Sequence, residues 1–462
     1  MTLSRRLAAA LRELRNRPLP PNVAQAARLH FLDSVGVGLA ATATTLGAPY
    51  RAVVDHLSNP GGVSVFGSGR TASPDIAALV NGGLIHSLEY DDTHTASIVH
   101  GSSVLTAVSL AAGQSSGASG AGVLGAYARG WEVFVRLGLA APGGFQREGF
   151  QITSVAGTMV AALVAADIGN LDEDATVHAL GIALSQSSGV FEFLTNGSSV
   201  KSLHPGWAAH AGVLAAQFAA AGMTGPETAF EGERGLFRRF AASADAAERL
   251  GVLIEDMGVR WHLPDCAFKF QPCCHYLHPF IEATLTLRER NVRPHDVVSI
   301  TCRIAPGAAP IVCAPWHIKQ EAIGHQARWS LPVVAAAALH DGAVTLDTFE
   351  TDVSEGTRDL TRRIIWEPLE PNDFPNRFEA ELTALLKDGS KIDVRLDDVY
   401  GNMSRPATVA DVLGKFRANA GRALEGHAVG ALEHAMLNID KGGFERLKPL
   451  LASPAGRSGI AQ

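Results

Sequence analysis

Two alanine-rich segments constrain this chain most, because each is apolar on nearly every side at helical spacing. They are TSVAGTMVAALVAADIG, residues 153–169, and WAAHAGVLAAQFAAAG, residues 207–222. A helix without a polar face has to be buried all round, and alanine and glycine let neighbouring backbones approach closely. Both segments end at glycine, a common C-terminal stop. The sequence therefore predicts a core in which these two helices are buried.

The helical pattern extends over residues 23–239 and returns after Tyr400. Between these stretches the sequence pattern changes. VVSITCRI, residues 297–304, is β-rich with partial alternation, and residues 377–398 have the pattern of a hairpin that turns at 387–390. The middle of the chain is therefore expected to be α+β.

We expect a mainly α fold. A large all-helical domain would be built from both chain ends, residues 1–265 and 399–462, with a smaller α+β domain inserted at 266–398. That insert is expected to contain a further helix at 325–342. The C-terminal residues 452–462 are expected to form a loose tail.

The overall composition excludes several classes of function. Of 462 residues, 47% are hydrophobic and 18% charged, which suits a large core rather than disorder. The net charge of −7, without long basic runs, argues against nucleic-acid and membrane-surface partners. No apolar run reaches the roughly 18 residues that span a bilayer. Five cysteines and no secretory apolar region favour a cytoplasmic protein with reduced thiols.

The first polar cluster is LEYDDTHTASIVHGSS, residues 88–103, which lies between two apolar segments. It contains the ionisable residues Glu89, Asp91, Asp92, His94 and His100. Adjacent Asp91 and Asp92 cannot share one face, so one can point into a pocket while the other caps a helix or faces water. His94 is expected to be solvated. The alternative is an ordinary polar loop between two buried helices.

The second cluster is NGSSVKSLHPGWAAHAG, residues 196–212. Lys201 follows a Gly/Ser loop and precedes a very apolar helix, with His204 near the start of that helix. A lysine that enters a buried region is costly unless it meets an anion. Lys201 is therefore a candidate for binding a substrate carboxylate or for acting as a base, and the alternative is a solvated loop lysine.

The third cluster is CAFKFQPCCHYLHP, residues 266–279. Its cysteines and histidines invite a zinc interpretation, but two cysteines are adjacent and no CxxC occurs. We therefore expect no metal. His275 and His278 are better candidates for acid/base or anion-binding groups, and the thiols for small buried side chains. Dinucleotide, P-loop and serine-hydrolase motifs are absent, so these three classes of function lose their usual support.

In this order the three clusters resemble the MmgE/PrpD family, whose members include 2-methylcitrate dehydratase, cis-aconitate decarboxylase and iminodisuccinate epimerase. The similarity also shows in HFLDSVGVGLAA, in TSVAGTMVAALVAADIGNLDEDATVHALGIALSQSSG and in FKFQPCCHYLHPFIEA. The resemblance implies a large helical domain with a smaller α+β lid domain in a homodimer. It also implies cofactor-free removal of a proton next to a carboxylate of a small di- or tricarboxylate.

The resemblance further implies which residues form the site. The catalytic candidates are Asp91, Thr93, His100, Lys201, His275 and His278, with the match between the last two open. The candidates for binding substrate are Gln151, His204 and Lys269.

Two positions depart from decarboxylase-like members of the family. Those members have a histidine where this chain has Gln151, and a tyrosine where it has Val333. Glutamine cannot carry a proton near neutrality, and valine can neither bind a carboxylate nor move a proton. We therefore favour an epimerase of the iminodisuccinate type over a dehydratase or decarboxylase of a citrate- or aconitate-like acid. A non-catalytic helical scaffold is disfavoured, because buried ionisable groups are costly.

Overall fold

The computed structural model describes residues 1–57 and 61–455. The expected tail therefore lies largely outside the described residues. The chain is mainly α, with 58% of it helical, as the sequence predicted. The α-helices are α1 Leu3–Arg15, α2 Pro21–Thr42, α3 Ala48–Leu57, α4 Pro74–Ser87, α5 Gly101–Ser116, α6 Gly120–Ala140, α7 Gly144–Arg147, α8 Ile152–Ile168, α9 Glu173–Leu184, α10 Leu203–Ala220, α11 Leu236–Phe240, α12 Ala246–Glu255, α13 His278–Glu289, α14 Ala309–Val312, α15 Trp316–Gln320, α16 Gly324–Ala327, α17 Leu331–Asp341, α18 Glu355–Thr361, α19 Val409–Ala420, α20 Gly426–Leu437 and α21 Phe444–Ala452.

The described residues also form six strands and several short 3₁₀ turns. The strands are β1 Val63–Ser64, β2 Thr71–Ala72, β3 Val297–Ile304, β4 Ile364–Pro368, β5 Ala380–Leu386 and β6 Lys391–Leu396. The 3₁₀ turns are Phe191–Thr195, Ser199–Ser202, Leu263–Asp265, His275–Leu277, Pro294–Asp296, Asp347–Phe349 and Ile439–Lys441.

The two alanine-rich segments form α8 and α10, which pack against each other and are buried along most of their length. Their backbones approach closely. A Cβ placed on Gly212 of α10 would lie 2.3 Å from the Cβ of Ala161 on α8, so only glycine fits at this crossing. The prediction that these helices are buried is confirmed.

The hydrophobic side chains form two separate cores. The first collects helices from both chain ends, residues 3–268 and 412–451, together with Leu346. The second collects residues 273–394. The chain thus passes from one core to the other next to the third polar cluster. The domain limits at 265 and 398, and the motion of the insert as a lid, stay predictions.

The second core contains the predicted strand and hairpin. Strands β5 and β6 pair antiparallel around the turn at 387–390, and β3 pairs with β5 antiparallel and with β4 parallel. The resulting order is β4-β3-β5-β6. The single helix expected at 325–342 is wrong. It is two helices, α16 and α17, because Ser330 caps α17 and Pro332 lies in its first turn.

Across the described parts of the chain, no helix has the length and hydrophobicity needed to cross a membrane.

Candidate active site

A cavity of about 480 Å³ is lined by side chains that belong to both cores. Six of the predicted residues line it, namely Thr93, His100, Gln151, Lys201, Lys269 and His275. The other three, Asp91, His204 and His278, do not reach its wall but are buried behind it. The three clusters, which are far apart in the sequence, therefore meet at one cavity.

The three carboxylates of the first cluster each have a separate partner. Both oxygens of Glu89 accept from the Lys201 ammonium at 2.6 Å. Asp91 accepts from Nδ1 of His86 at 2.8 Å. Asp92 contacts Nδ1 of His30 at 2.7 Å and accepts the backbone N–H of Ser102 at 3.1 Å, in the first turn of α5. One of the adjacent aspartates thus serves a helix start, as the sequence predicted.

Lys201 is not free to meet an anion by itself, which corrects the expectation for this residue. It is 8% exposed and forms a buried ion pair with Glu89. Burial by itself raises the pKa of Glu89. The charge of Lys201, followed by those of His86 and Lys269, outweighs that effect and lowers the pKa to about 2. The pair therefore adds little net charge to the cavity.

Lys269 has a different environment. Its side chain is fully buried, and its Nζ donates to the backbone carbonyl of Glu89 at 3.1 Å. Within residues 1–57 and 61–455, no carboxylate lies within the 4.0 Å of an ion pair with this ammonium. A buried ammonium without a counter-ion is costly, and this one lines a cavity. Lys269 is therefore the group best placed to bind an anionic substrate.

His100 can accept a proton in the cavity. Its Nδ1 lies 3.0 Å from both the backbone carbonyl oxygen of Asp92 and the Oγ1 of Thr93. Since a carbonyl oxygen only accepts, Nδ1 carries the hydrogen and Nε2 keeps its lone pair. Burial, followed by the charge of Lys269, lowers the pKa of His100 to about 3. The ring is therefore neutral near pH 7.

Thr93 also joins the first cluster to the third. Its N–H donates to the carbonyl of Ala267 at 3.1 Å, and the N–H of Ala267 donates back at 2.8 Å. This short antiparallel pair places the segment that carries Lys269 beside the loop that carries His100.

Gln151 is held by two histidines behind the cavity wall. Its Nε2 lies 3.3 Å from Nε2 of His86, and its Oε1 lies 2.6 Å from Nδ1 of His204. Because His86 donates from Nδ1 to Asp91, its Nε2 accepts from the amide. Both ends of the Gln151 amide are thus occupied. The amide nitrogen carries a second N–H and Gln151 lines the cavity, so substrate binding by Gln151 and His204 stays a prediction.

In the third cluster, His275 lines the cavity and His278 lies behind it. Their ring centroids are 4.8 Å apart in an edge-on arrangement. Neither ring nitrogen of His275 has a hydrogen-bond partner among the described residues. Burial lowers the pKa of both rings well below the usual value. The geometry thus favours His275 over His278 as the residue that faces a substrate.

The cysteines of this cluster are free and buried. In the part of the chain that the structure describes, no group of three or more His, Cys, Asp or Glu side chains is arranged to hold a metal ion.

Three contributors were missed at the sequence level. No role was predicted for Glu89 from the sequence. A lysine such as Lys201 that enters a buried region needs a counter-ion, and this requirement could have pointed to Glu89. His86 lies at the end of an apparently apolar helix. Arg328 had no sequence signal at all. Its fully buried Nη1 donates to the carbonyls of Leu88 and Pro272 at 2.9 and 2.6 Å, and so ties the first cluster to the third.

One other expectation is wrong, and one residue used in the argument for an epimerase lies away from the cavity. His94 is 6% exposed rather than solvated, and its Nδ1 lies 2.8 Å from the hydroxyl of Ser97. Val333 is 1% exposed within the second core and is not part of the cavity wall.

Comparison with known proteins shows to which family the chain belongs. Residues 5–249 match the MmgE/PrpD N-terminal domain, and residues 271–441 match the MmgE/PrpD C-terminal domain. The chain belongs to the MmgE/PrpD family. This result confirms the family that the three clusters indicated.

The curated relatives of this MmgE/PrpD protein include cis-aconitate decarboxylases from animals and fungi. The chain is 30% identical to the one from Homo sapiens, over 95% of this chain and 92% of that protein. It is 31% identical to the one from Mus musculus, over 85% and 82%. It is 25% identical to the one from Aspergillus terreus (strain NIH 2624 / FGSC A1156), over 94% and 92%. These relatives support the lyase alternative better than the epimerase that the sequence favoured.

Proposed function

We propose that this protein is a cofactor-independent lyase that decarboxylates a cis-aconitate-like acid. The observation that carries the proposal is that Lys269, a buried ammonium without a carboxylate partner, shares one cavity with the neutral imidazole of His100. The relatives named cis-aconitate decarboxylase support this reaction class. The earlier preference for an epimerase rested on Gln151 and Val333. Val333 is outside the cavity wall, and the Gln151 amide is already engaged.

The reaction needs a site that stabilises negative charge. The bond between carbon and the departing carboxylate breaks, and CO₂ leaves. The electron pair left behind spreads into the neighbouring double bond and its carboxylate. Lys269 would bind this remaining carboxylate and hold the charge as it develops. Addition of one proton to carbon completes the reaction.

His100 is the group we assign to that proton. Lys269 is the second cause, after burial, of the lowered pKa of His100. A carboxylate bound to Lys269 would cancel part of this effect and raise the pKa of the ring, so that Nε2 could take up a proton and deliver it to carbon. Lys201, kept in place by Glu89, is a second donor on the same cavity. Dehydration of a citrate-like acid would use the same charge stabilisation but needs an acid for the departing hydroxide.

The test is incubation with cis-aconitate in D₂O, followed by NMR and by measurement of released CO₂. Decarboxylation gives one CO₂ and one carbon-bound deuterium per product molecule. Release of water from a citrate-like acid without CO₂ would instead establish the dehydratase. Deuterium entering iminodisuccinate with its carbon skeleton intact would establish the epimerase. A Lys269→Met variant serves as the control, because it removes the assigned anion-binding charge and keeps a side chain of similar length.

A further inference from the structure

The charge of the cavity is low for an acid with three carboxylates. Lys201 and Glu89 form an ion pair, which leaves Lys269 as the buried cation without a carboxylate of the described lining within ion-pair distance. Arg147 also lines the cavity, but it is exposed and stands on the short helix α7 at the rim. Two cations, of which one is in water, suit a substrate with few carboxylates at its polar end.

A large part of the cavity wall is apolar, although polar side chains such as Thr95 and Gln146 also line it. The apolar part includes Ile152, Phe191, Phe193, Leu194, Ile311 and Phe378. These side chains come from elements that carry none of the ammonium groups: the start of α8, the 3₁₀ turn Phe191–Thr195, helix α14 and the segment before β5. A wall of this kind favours hydrocarbon over carboxylate, because a carboxylate placed against it would lose hydration without gaining hydrogen bonds.

The volume of the cavity also leaves room for a hydrocarbon group beside the carboxylates. Its volume of about 480 Å³ lies within the range of pockets that bind drug-sized ligands. Pockets of this size commonly enclose molecules that are much larger than a small polycarboxylic acid. Leu194 lines the cavity and yet is 47% exposed, so a hydrocarbon group bound there would cover it.

We propose that Phe191, Phe193, Leu194 and Ile311 form an apolar subsite that binds an alkyl substituent of the substrate. The substrate class is then an alkyl-substituted, aconitate-like acid whose carboxylates lie at Lys269. This inference rests on the proposed lyase function for the reaction, but the subsite itself can be measured by binding alone.

The probe is a series of alkylsuccinates, from methyl to hexyl, titrated calorimetrically into the full-length protein, with tricarballylate as the unsubstituted tricarboxylate. Each methylene buried in an apolar site contributes about 0.8 kcal/mol, which is roughly a fourfold gain in affinity. We expect Kd to fall by about that factor per methylene until the cavity is full, and hexylsuccinate to bind more tightly than tricarballylate. A Kd that is independent of chain length, or tighter binding of tricarballylate than of every alkylsuccinate, would overturn the subsite.

Substitutions in the subsite test which side chains cause the dependence of Kd on alkyl chain length. Leu194→Asn and Ile311→Asn change side chains that are not fully buried, so the fold should persist. Each should flatten the chain-length dependence while leaving the affinity for methylsuccinate nearly unchanged. The matched control is Val190→Asn, which alters a 53% exposed residue next to the same 3₁₀ turn but outside the cavity lining. An unchanged dependence in both lining variants would overturn the assignment of the subsite.

The two proposals fail separately. Turnover of cis-aconitate without any chain-length dependence would keep the lyase and exclude the subsite. Steep chain-length dependence with no CO₂ released from plain or alkyl-substituted unsaturated acids would keep the subsite and exclude the decarboxylase.

Discussion

Lys201 and Lys269 line the same cavity, but their surroundings differ. Lys201 lies in the turn before α10, and its ammonium is held by both oxygens of Glu89. Lys269 lies in the segment between the two cores, and its ammonium meets a single backbone carbonyl. The first is therefore a structural ion pair that also faces a cavity, and the second is the charge to which we assign anion binding. The role of a buried lysine is set by its counter-ion, which the sequence around the lysine does not show.

The largest effect expected from this comparison is on stability. Replacing Lys201 with Met leaves the buried Glu89 carboxylate without its partner, which typically costs about 3–5 kcal/mol. Urea unfolding should show this loss. The double variant Lys201→Met/Glu89→Gln should recover much of the loss. Equal stability of Lys201→Met and the wild type would mean that the pair does not form.

Lys269→Met should lower activity without lowering stability, in contrast to Lys201→Met. Removal of the anion-binding charge should lower kcat/KM about 10²- to 10³-fold, as for loss of one donor to a developing anion. Stability should stay equal or rise, because an ammonium without a carboxylate leaves the interior. Steady-state kinetics and urea unfolding measure the two sides, with the exposed Lys387→Met as control. If Lys269→Met destabilises the fold as much as Lys201→Met, the contrast between the two lysines is wrong.

His100→Asn sharpens the comparison, because it removes the proton carrier beside Lys269. We expect kcat to fall about 10²-fold or more with a smaller change in KM, since asparagine keeps a polar group of similar size. The measurement is kcat and KM separately, together with deuterium incorporation in D₂O. Near-wild-type kcat with intact folding would remove His100 from the reaction.

Local patterns in the sequence were sufficient for most of the fold. Apolar periodicity and terminal glycines placed α8 and α10, and alternation with a Gly-containing turn placed β5 and β6. The helix expected at 325–342 failed because Ser330 and Pro332 start a new helix inside a continuous apolar pattern. In each case the residues that determine the element lie close together in the sequence. Only the start of α17 at Ser330 and Pro332 was not predicted.

The site was less predictable, because its pairings are distant in the chain. Lys201 and Glu89 are 112 positions apart, and Arg328 lies 240 positions from Leu88. The clusters indicated which residues meet, but not which charges cancel. The exposure of His94 was misjudged for the same reason. It contacts His262, whose ring centroid lies 5.9 Å away, and no local pattern indicates that contact.

The smallest effect concerns His94, which has the same depressed pKa as His100 but lies outside the main cavity. Burial, followed by His262 and Arg260, lowers the pKa of His94 to about 3. Between that value and its usual 6.5, the unfolded chain binds a proton that the folded protein does not, so stability falls as the pH falls through this window. At pH 5 the penalty is about 2 kcal/mol.

The effect of His94→Asn on the free energy of unfolding should therefore change sign with pH. Near pH 7.5 it should cost about 1 kcal/mol, because the hydrogen bond to Ser97 is lost. At pH 5 the variant should be more stable than the wild type by about 1 kcal/mol, because it no longer carries the penalty of a neutral buried histidine. Urea unfolding at the two pH values measures both, and His427→Asn, at a side chain that is 83% exposed, is the control. Activity at pH 7.5 should barely change, unlike in His100→Asn, because no lysine of the cavity is among the causes of the His94 shift. A loss of kcat comparable to that of His100→Asn would show that the second histidine of the first cluster also takes part in the chemistry.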